Sequence, residues 1–217
     1  MALAAVPSDA SEADQGIWIS RTEIMALPDH GPAWDALVAE AAKPIDPDLS
    51  DQTDPSNVRV LARALVATRT GSAQMRKEVL RALEEVQGTE AGARSLSVSR
   101  ELMAYVIAAE LVGMDGAQKD KFEIWLRAVY ARNFQGRTLR STHEERPNNW
   151  GTHAGASRLA VAIYLDDRAE IEKAAWVFRG WTGDPAGWRD FKFGERWWQP
   201  ENGSRNYGIN PAGARIS

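Results

Sequence analysis

The densest chemistry in the sequence lies in eight consecutive residues, Arg146-Pro147-Asn148-Asn149-Trp150-Gly151-Thr152-His153. Pro147 holds the chain extended ahead of two adjacent amides. Asn148 and Asn149 offer carboxamide donors at a loop-to-helix junction, where backbone N–H groups also point outward. His153 lies one turn into the helix that follows, and Ser157 and Tyr164, four and eleven residues on, share its face. A donor pair, a helix N-terminus and an imidazole together can hold a carboxylate and move a proton. The same residues also read as an Asn N-cap followed by a packed His and Trp, since an Asn at a cap is ordinary.

The elements that would position this stretch are helical. Ile17-Trp18-Ile19-Ser20 is a short apolar run, and Arg21 to Leu27 suits a turn of helix. Pro32 fits a helix N1 position, with Trp34, Leu37, Val38 and Ala41 on one face. Residues 44–55, with three prolines and several Asp, read as a loop. Ser56 is placed to cap a helix running to about Thr70, closed by Gly71. Ser72 opens another, with Met75, Val79, Leu83 and Val86 at helical spacing. A long helix is expected over about Gly92 to Val112, and Phe122, Trp125, Leu126 and Val129 mark the next. Residues 133–149 lose all periodicity. A helix from about Gly151 to Leu165 follows. Asp167-Arg168-Ala169-Glu170 reads as a capping box for a last helix with Ile171, Ala174, Ala175 and Phe178 as its stripe. After Gly180 no regular element is legible. The expected class is all-α: consecutive helical hairpins forming an α/α toroid or an incomplete part of one, with residues 1–16 as a flexible tail and 17–217 as one helical domain.

Composition narrows the function. The chain has 217 residues, 44% hydrophobic, enough for one sizeable core. No run of about 18 apolar residues exists, which argues against a membrane span. Cysteine is absent, which removes disulfides, thiolate catalysis and Cys-ligated metals. The three histidines, His30, His143 and His153, have no metal-ligand spacing, so no metal site is expected. A net charge of −4 argues against nucleic acid as a partner. Yet Arg132 to Arg146 holds four Arg against Glu144 and Glu145, and Trp188 to Arg215 is also locally basic. Both segments are long loops in this reading, and such loops are usually functional or disordered. They suit an anionic ligand; solvated loop charge is the plainer reading. Six of the nine tryptophans fall after residue 149, where they can stack on sugars or pack a core. The opening, Met1 to Gln15, fits either a disordered tail or the remnant of a signal-peptide cleavage region, and the second gives a secreted or periplasmic location.

Asn148-Asn149-Trp150-Gly151-Thr152 before a helix of small and aliphatic residues resembles the alginate lyase-like superfamily of polysaccharide lyases, in which Asn-Asn-His-Gly-Thr is common. Ile17-Trp18-Ile19-Ser20 with Gly31-Pro32-Ala33-Trp34-Asp35 resembles the opening of bacterial members. Asp48-Leu49-Ser50-Asp51-Gln52, Ser99-Arg100 with Tyr105-Val106-Ile107-Ala108-Ala109, and Gly208-Ile209-Asn210-Pro211 are similar to family segments, in family order.

The resemblance implies β-elimination on a uronic-acid polysaccharide such as alginate or glucuronan, without a cofactor. In that scheme Asn149 matches the family's carboxylate-neutralising Asn, with Asn148 beside it. The family's usual His falls at Trp150, so His153 becomes the candidate base or neutraliser. Tyr207 is a candidate phenolic acid/base, since neighbouring Arg205 favours its phenolate, and Arg205 itself suits a uronate carboxylate. Arg100 and Tyr105 from the long helix, and Trp150 and Trp198 as sugar platforms, complete the candidate set. Family members normally continue beyond Gly-Ile-Asn-Pro, so the resemblance implies a C-terminally incomplete toroid, and hence a homo-oligomer, another partner or low stability. A polyuronate-binding protein without the chemistry, and a plain helical scaffold, are the competing functions.

Overall fold

The computed structural model describes residues 16–189. Among them nine helices form: α1 (Arg21–Ala26), α2 (Pro32–Ala41), α3 (Ser56–Thr70), α4 (Ala73–Glu85), α5 (Ser95–Val112), α6 (Gly116–Ala131), α7 (Leu139–Glu145), α8 (Asn149–Tyr164) and α9 (Arg168–Trp181). The described residues contain no strand, only one isolated bridge between Phe134 and Arg137. The class is all-α, as the sequence led us to expect. None of these helices is long and apolar enough to cross a membrane.

α5 is the centre of the molecule. Its sequence is apolar on every side, the mark of a helix with no solvent face, and 15 of its 18 residues are buried. It packs between α3 and α8, and all three run the same way. The Thr68 hydroxyl near the end of α3 donates to the Leu111 carbonyl near the end of α5 (3.2 Å). Ser157 of α8 accepts from the Met103 N–H (3.1 Å) and donates to the Ser99 carbonyl (2.7 Å). One turn and more further on, Ile107, Ala160 and Ile163 line one cavity. Thus α3, α5 and α8 form a parallel row, and the segments between them carry the chain back.

This arrangement sorts the connections. Where the row ends, the links are short: Gly71 and Ser72, Gly113 to Asp115, Leu165 to Asp167. Gly71 adopts φ 70°, and Ser72 caps α4 through the Met75 N–H. Where the row begins, the long connections gather. These are residues 42–55, 86–94 and 132–148, the last containing α7. Three helix N-termini and the three longest connections therefore share one end of the molecule.

Four expectations need correction. Ser56 is not the cap of α3 but its first residue. Its hydroxyl accepts from the Asp46 N–H (3.1 Å) and donates to the Asp46 carbonyl (2.9 Å), which pins the 42–55 loop to the helix. The long helix starts at Ser95 rather than Gly92, because Gly92 adopts φ 79° in the preceding turns. Residues 133–149 are not wholly irregular: Thr138 and Ser141 form a reciprocal capping box that opens α7. Finally, α9 buries Glu170, Ala174, Val177, Gly180 and Trp181, while Ala175 and Phe178 of the expected stripe face solvent. The Asp167 side chain does cap the Glu170 N–H, but the Glu170 carboxylate turns inward to a buried ionic network instead of closing the box.

Candidate functional site

The start of α8 stands at the loop-rich end. Asn148 is its N-cap in extended conformation, and its side-chain oxygen accepts the Trp150 N–H (3.0 Å). That oxygen is therefore committed to the helix, and only the carboxamide N–H groups of Asn148 remain for another partner. Asn149, the first helical residue, is exposed. The tight reversal into α8 explains the glycine two residues on. A Cβ on Gly151 would stand 1.9 Å from the Arg146 carbonyl oxygen and 2.9 Å from the Trp181 ring. Any side chain there would force the Asn pair away from its present place.

One turn later, His153 is half-buried, and it shares a face with Asn149 at i, i+4. Burial first, and then the charge of Arg100 on the neighbouring α5, push its pKa below the usual 6.5. The imidazole is therefore neutral near pH 7 and able to accept a proton. The Ser157 bonds to Ser99 and Met103 set this register between α5 and α8, and so bring Arg100 to His153. Arg100 is exposed, and among the described residues no carboxylate lies within ion-pairing distance of it. The structure thus gathers Asn149, His153 and Arg100, with Asn148 at their edge.

Trp150 lies beneath Arg146, whose guanidinium carbon sits 4.5 Å above the centre of the indole ring. Behind this surface is the ionic network. Fully buried Arg158 pairs with Glu170 and, at 3.2 Å, with Glu144, and its Nη1 lies 3.2 Å from His143 Nδ1. Tyr130 donates to Glu170, and Arg140 joins it at 3.0 Å. Burial, then the Arg158 charge, hold His143 down to about 3. It is a neutral packing group set edge-on against Trp181. A Cβ on Gly155 would meet its ring at 2.7 Å, so α8 fits closely over α7. This network ties α6, α7, α8 and α9 together under the site.

Tyr105 is a correction to the candidate set. It is fully buried in the core, with its hydroxyl unpartnered, and has no route to a substrate. The sequence showed it as one turn of an apolar helix, where an outward and an inward Tyr look alike. Its neighbour one turn back, Glu101, was not anticipated. It is 1% exposed with both carboxylate oxygens unpartnered, and burial, then the nearby Asp54 charge, raise its pKa to about 8. The available signal was a lone acidic residue opening an apolar stretch. Trp198, Arg205 and Tyr207 lie outside the described residues. The described chain closes at the same end: the Trp188 indole N–H donates to the Glu144 carbonyl (2.9 Å), and its ring stacks edge-on with Trp176 under Lys173. Among the described residues no group of three His, Cys, Asp or Glu side chains is arranged to hold a metal ion.

Comparison with known families gives one match. The family model described as Alginate lyase matches residues 92–184, a little under half of the chain. The matched span contains α5 to α9 and every described member of the cluster, Arg100, Asn148, Asn149 and His153. No curated protein and no solved structure matches the chain.

Proposed function

We propose that the chain is an alginate lyase-like protein that cleaves a uronic-acid-containing polysaccharide by β-elimination. The observation that carries this reading is the meeting of exposed Asn149, unpaired Arg100 and neutral His153 where α5 and α8 begin.

The chemistry these groups suit is specific. The proton at C5 of a uronate is hard to remove while the adjacent carboxylate keeps its full charge. Donors from Asn149 and the first turn of α8, with the Arg100 guanidinium, withdraw that charge and stabilise the enolate-like transition state. His153 takes the C5 proton. The electron pair left at C5 forms the C4=C5 double bond as the C4–O glycosidic bond breaks, and the departing oxygen receives a proton. Tyr207, from the sequence reading, is our candidate for that acid. The products are a new chain end and an unsaturated uronate, and no redox partner is needed.

The test is direct. The full chain is incubated with alginate and with a polyglucuronate while the ultraviolet absorbance of the unsaturated product is followed. Asn149→Ala should lower turnover by about 10²–10³-fold with unchanged thermal stability, because Asn149 is exposed. Absence of product from every polyuronate refutes the lyase reading, and binding without product would favour a polyuronate-binding protein instead.

A further inference from the structure

The family's usual His falls at Trp150, and an indole cannot supply positive charge to a carboxylate. The structure shows where a charge nonetheless sits. Arg146 is folded back over Trp150, guanidinium above ring, at 4.5 Å. Its Nε is buried with no acceptor, which leaves the Nη groups as the part able to meet a ligand. Among the described residues no carboxylate lies within 4 Å of it. Glu145, adjacent in sequence, is paired with Arg137 at 2.8 Å. Arg137 and Glu145 are both close enough for their charges to act on Arg146. This is a surplus of positive charge placed against the first turn of α8, the same turn that presents Asn149.

An arginine that only stapled a loop would be expected to meet an acidic side chain or a carbonyl. This one meets the face of a ring, which fixes its plane and leaves its hydrogen-bonding edge unspent. A planar guanidinium held in this way loses little freedom when it takes a carboxylate through two parallel bonds.

We propose that Arg146, held over Trp150, is a carboxylate-binding residue of the site and supplies positive charge beside a ring that brings none. This inference rests on the reading of the site as one for polyuronates. It makes Trp150 a positioning residue for Arg146 rather than a failed copy of the motif.

The experiment is equilibrium titration of the full chain with a saturated oligouronate and with its carboxyl-reduced, neutral counterpart. Arg146→Ala should weaken the acidic oligomer about 10- to 100-fold and leave the neutral one unchanged. Trp150→Phe, which keeps a ring, should bind like the wild type. Trp150→Ala should lose affinity as Arg146→Ala does. Arg146→Lys keeps the charge without the plane and should recover less than half of the loss on a logarithmic scale. If Arg146→Ala binds as the wild type does while Asn149→Ala and Arg100→Ala lose affinity, the site stands and the role of Arg146 is overturned. If all three bind as the wild type does, the polyuronate reading falls and this inference with it. If Arg146→Ala does not fold, Arg146→Lys decides: wild-type affinity there overturns the stacked guanidinium.

Discussion

Replacing Glu101 by Gln should stabilise the protein, increasingly so as pH rises. Glu101 is 1% exposed, and neither carboxylate oxygen has a hydrogen-bond partner. Burial, then Asp54, raise its pKa to about 8 from the ordinary 4.5. The folded protein therefore keeps a proton on this group between pH 4.5 and 8 that the unfolded chain has released. A native state that binds more protons loses stability as pH rises, by up to about 1.4 kcal/mol per pH unit across that window. Relative to an isostere that is neutral in both states, the deficit is about 1 kcal/mol at pH 5 and about 4 kcal/mol at pH 7.5. Gln is that isostere. Denaturant midpoints of both proteins at the two pH values give the gap directly, and other titrating groups cancel in the difference. At pH 7.5 the gap corresponds to roughly 10 °C in Tm for a chain of this size. A gap that stays constant or shrinks between pH 5 and 7.5 would refute the argument, because it would mean that Glu101 is ionised in the folded protein.

Three further outcomes follow from the site and its support. Asn148→Ala should cost about 1 kcal/mol in chemical denaturation through loss of the α8 cap, and Asn148→Ser should restore that stability; failure of Ser to do so would show that the cap is not what Asn148 contributes. Glu170→Ala should cost about 3 kcal/mol, since it leaves Arg158 buried with Glu144 alone; a cost below about 1 kcal/mol would mean that the network does not hold α6 to α9 together. Finally, kcat/KM should fall on the acid side with an apparent pKa below that of a free imidazole. The lowered pKa of His153 keeps the base neutral until the pH drops through it, and an acid limb centred at or above about 6.5 would exclude His153 as that base.

The helices were legible where apolar residues repeat at helical spacing. Phe122, Trp125, Leu126 and Val129 read from sequence as one face, and all four are buried. α7 was not legible because only Leu139 among its seven residues is apolar. Its inward face is completed by Thr142, whose hydroxyl donates to the Thr138 carbonyl, and by His143, which the Arg158 network accepts. The stripe on α9 was misplaced for a related reason. Periodicity cannot choose between Ala174-Val177-Trp181 and the expected Ile171-Ala174-Ala175-Phe178, which share Ala174, and the choice was made by Glu170, which must reach Arg158. At the site, the sequence put His153 one turn into a helix starting near Gly151, and Asn149 joins its face because α8 starts two residues earlier. That Arg100 belongs with them depends on the register of α5 against α8, set by Ser157 through contacts 54 and 58 residues away in sequence. The Arg146 stack on Trp150 depends on a backbone reversal that Gly151 permits, and no periodicity reports that.

That reversal links the motif's glycine to its chemistry. With Gly151 against the Arg146 carbonyl, the chain turns sharply enough for Arg146, before the helix, to lie back over Trp150 inside it. A histidine at 150 would occupy the same place on the turn and bring its own donor. A tryptophan brings only a surface, and that surface is useful only to a group that can lie flat upon it. Arginine is the side chain whose charge is planar. The exchange of His for Trp is therefore coherent only with an arginine close by, and the geometry here supplies one that lies over the ring. On this reasoning Arg146 and Trp150 are coupled: Arg146→Ala in a Trp150→Ala background should cost far less affinity than in the wild type. Additive losses in that double-mutant cycle would separate the two residues and leave the departure from the motif without a physical explanation.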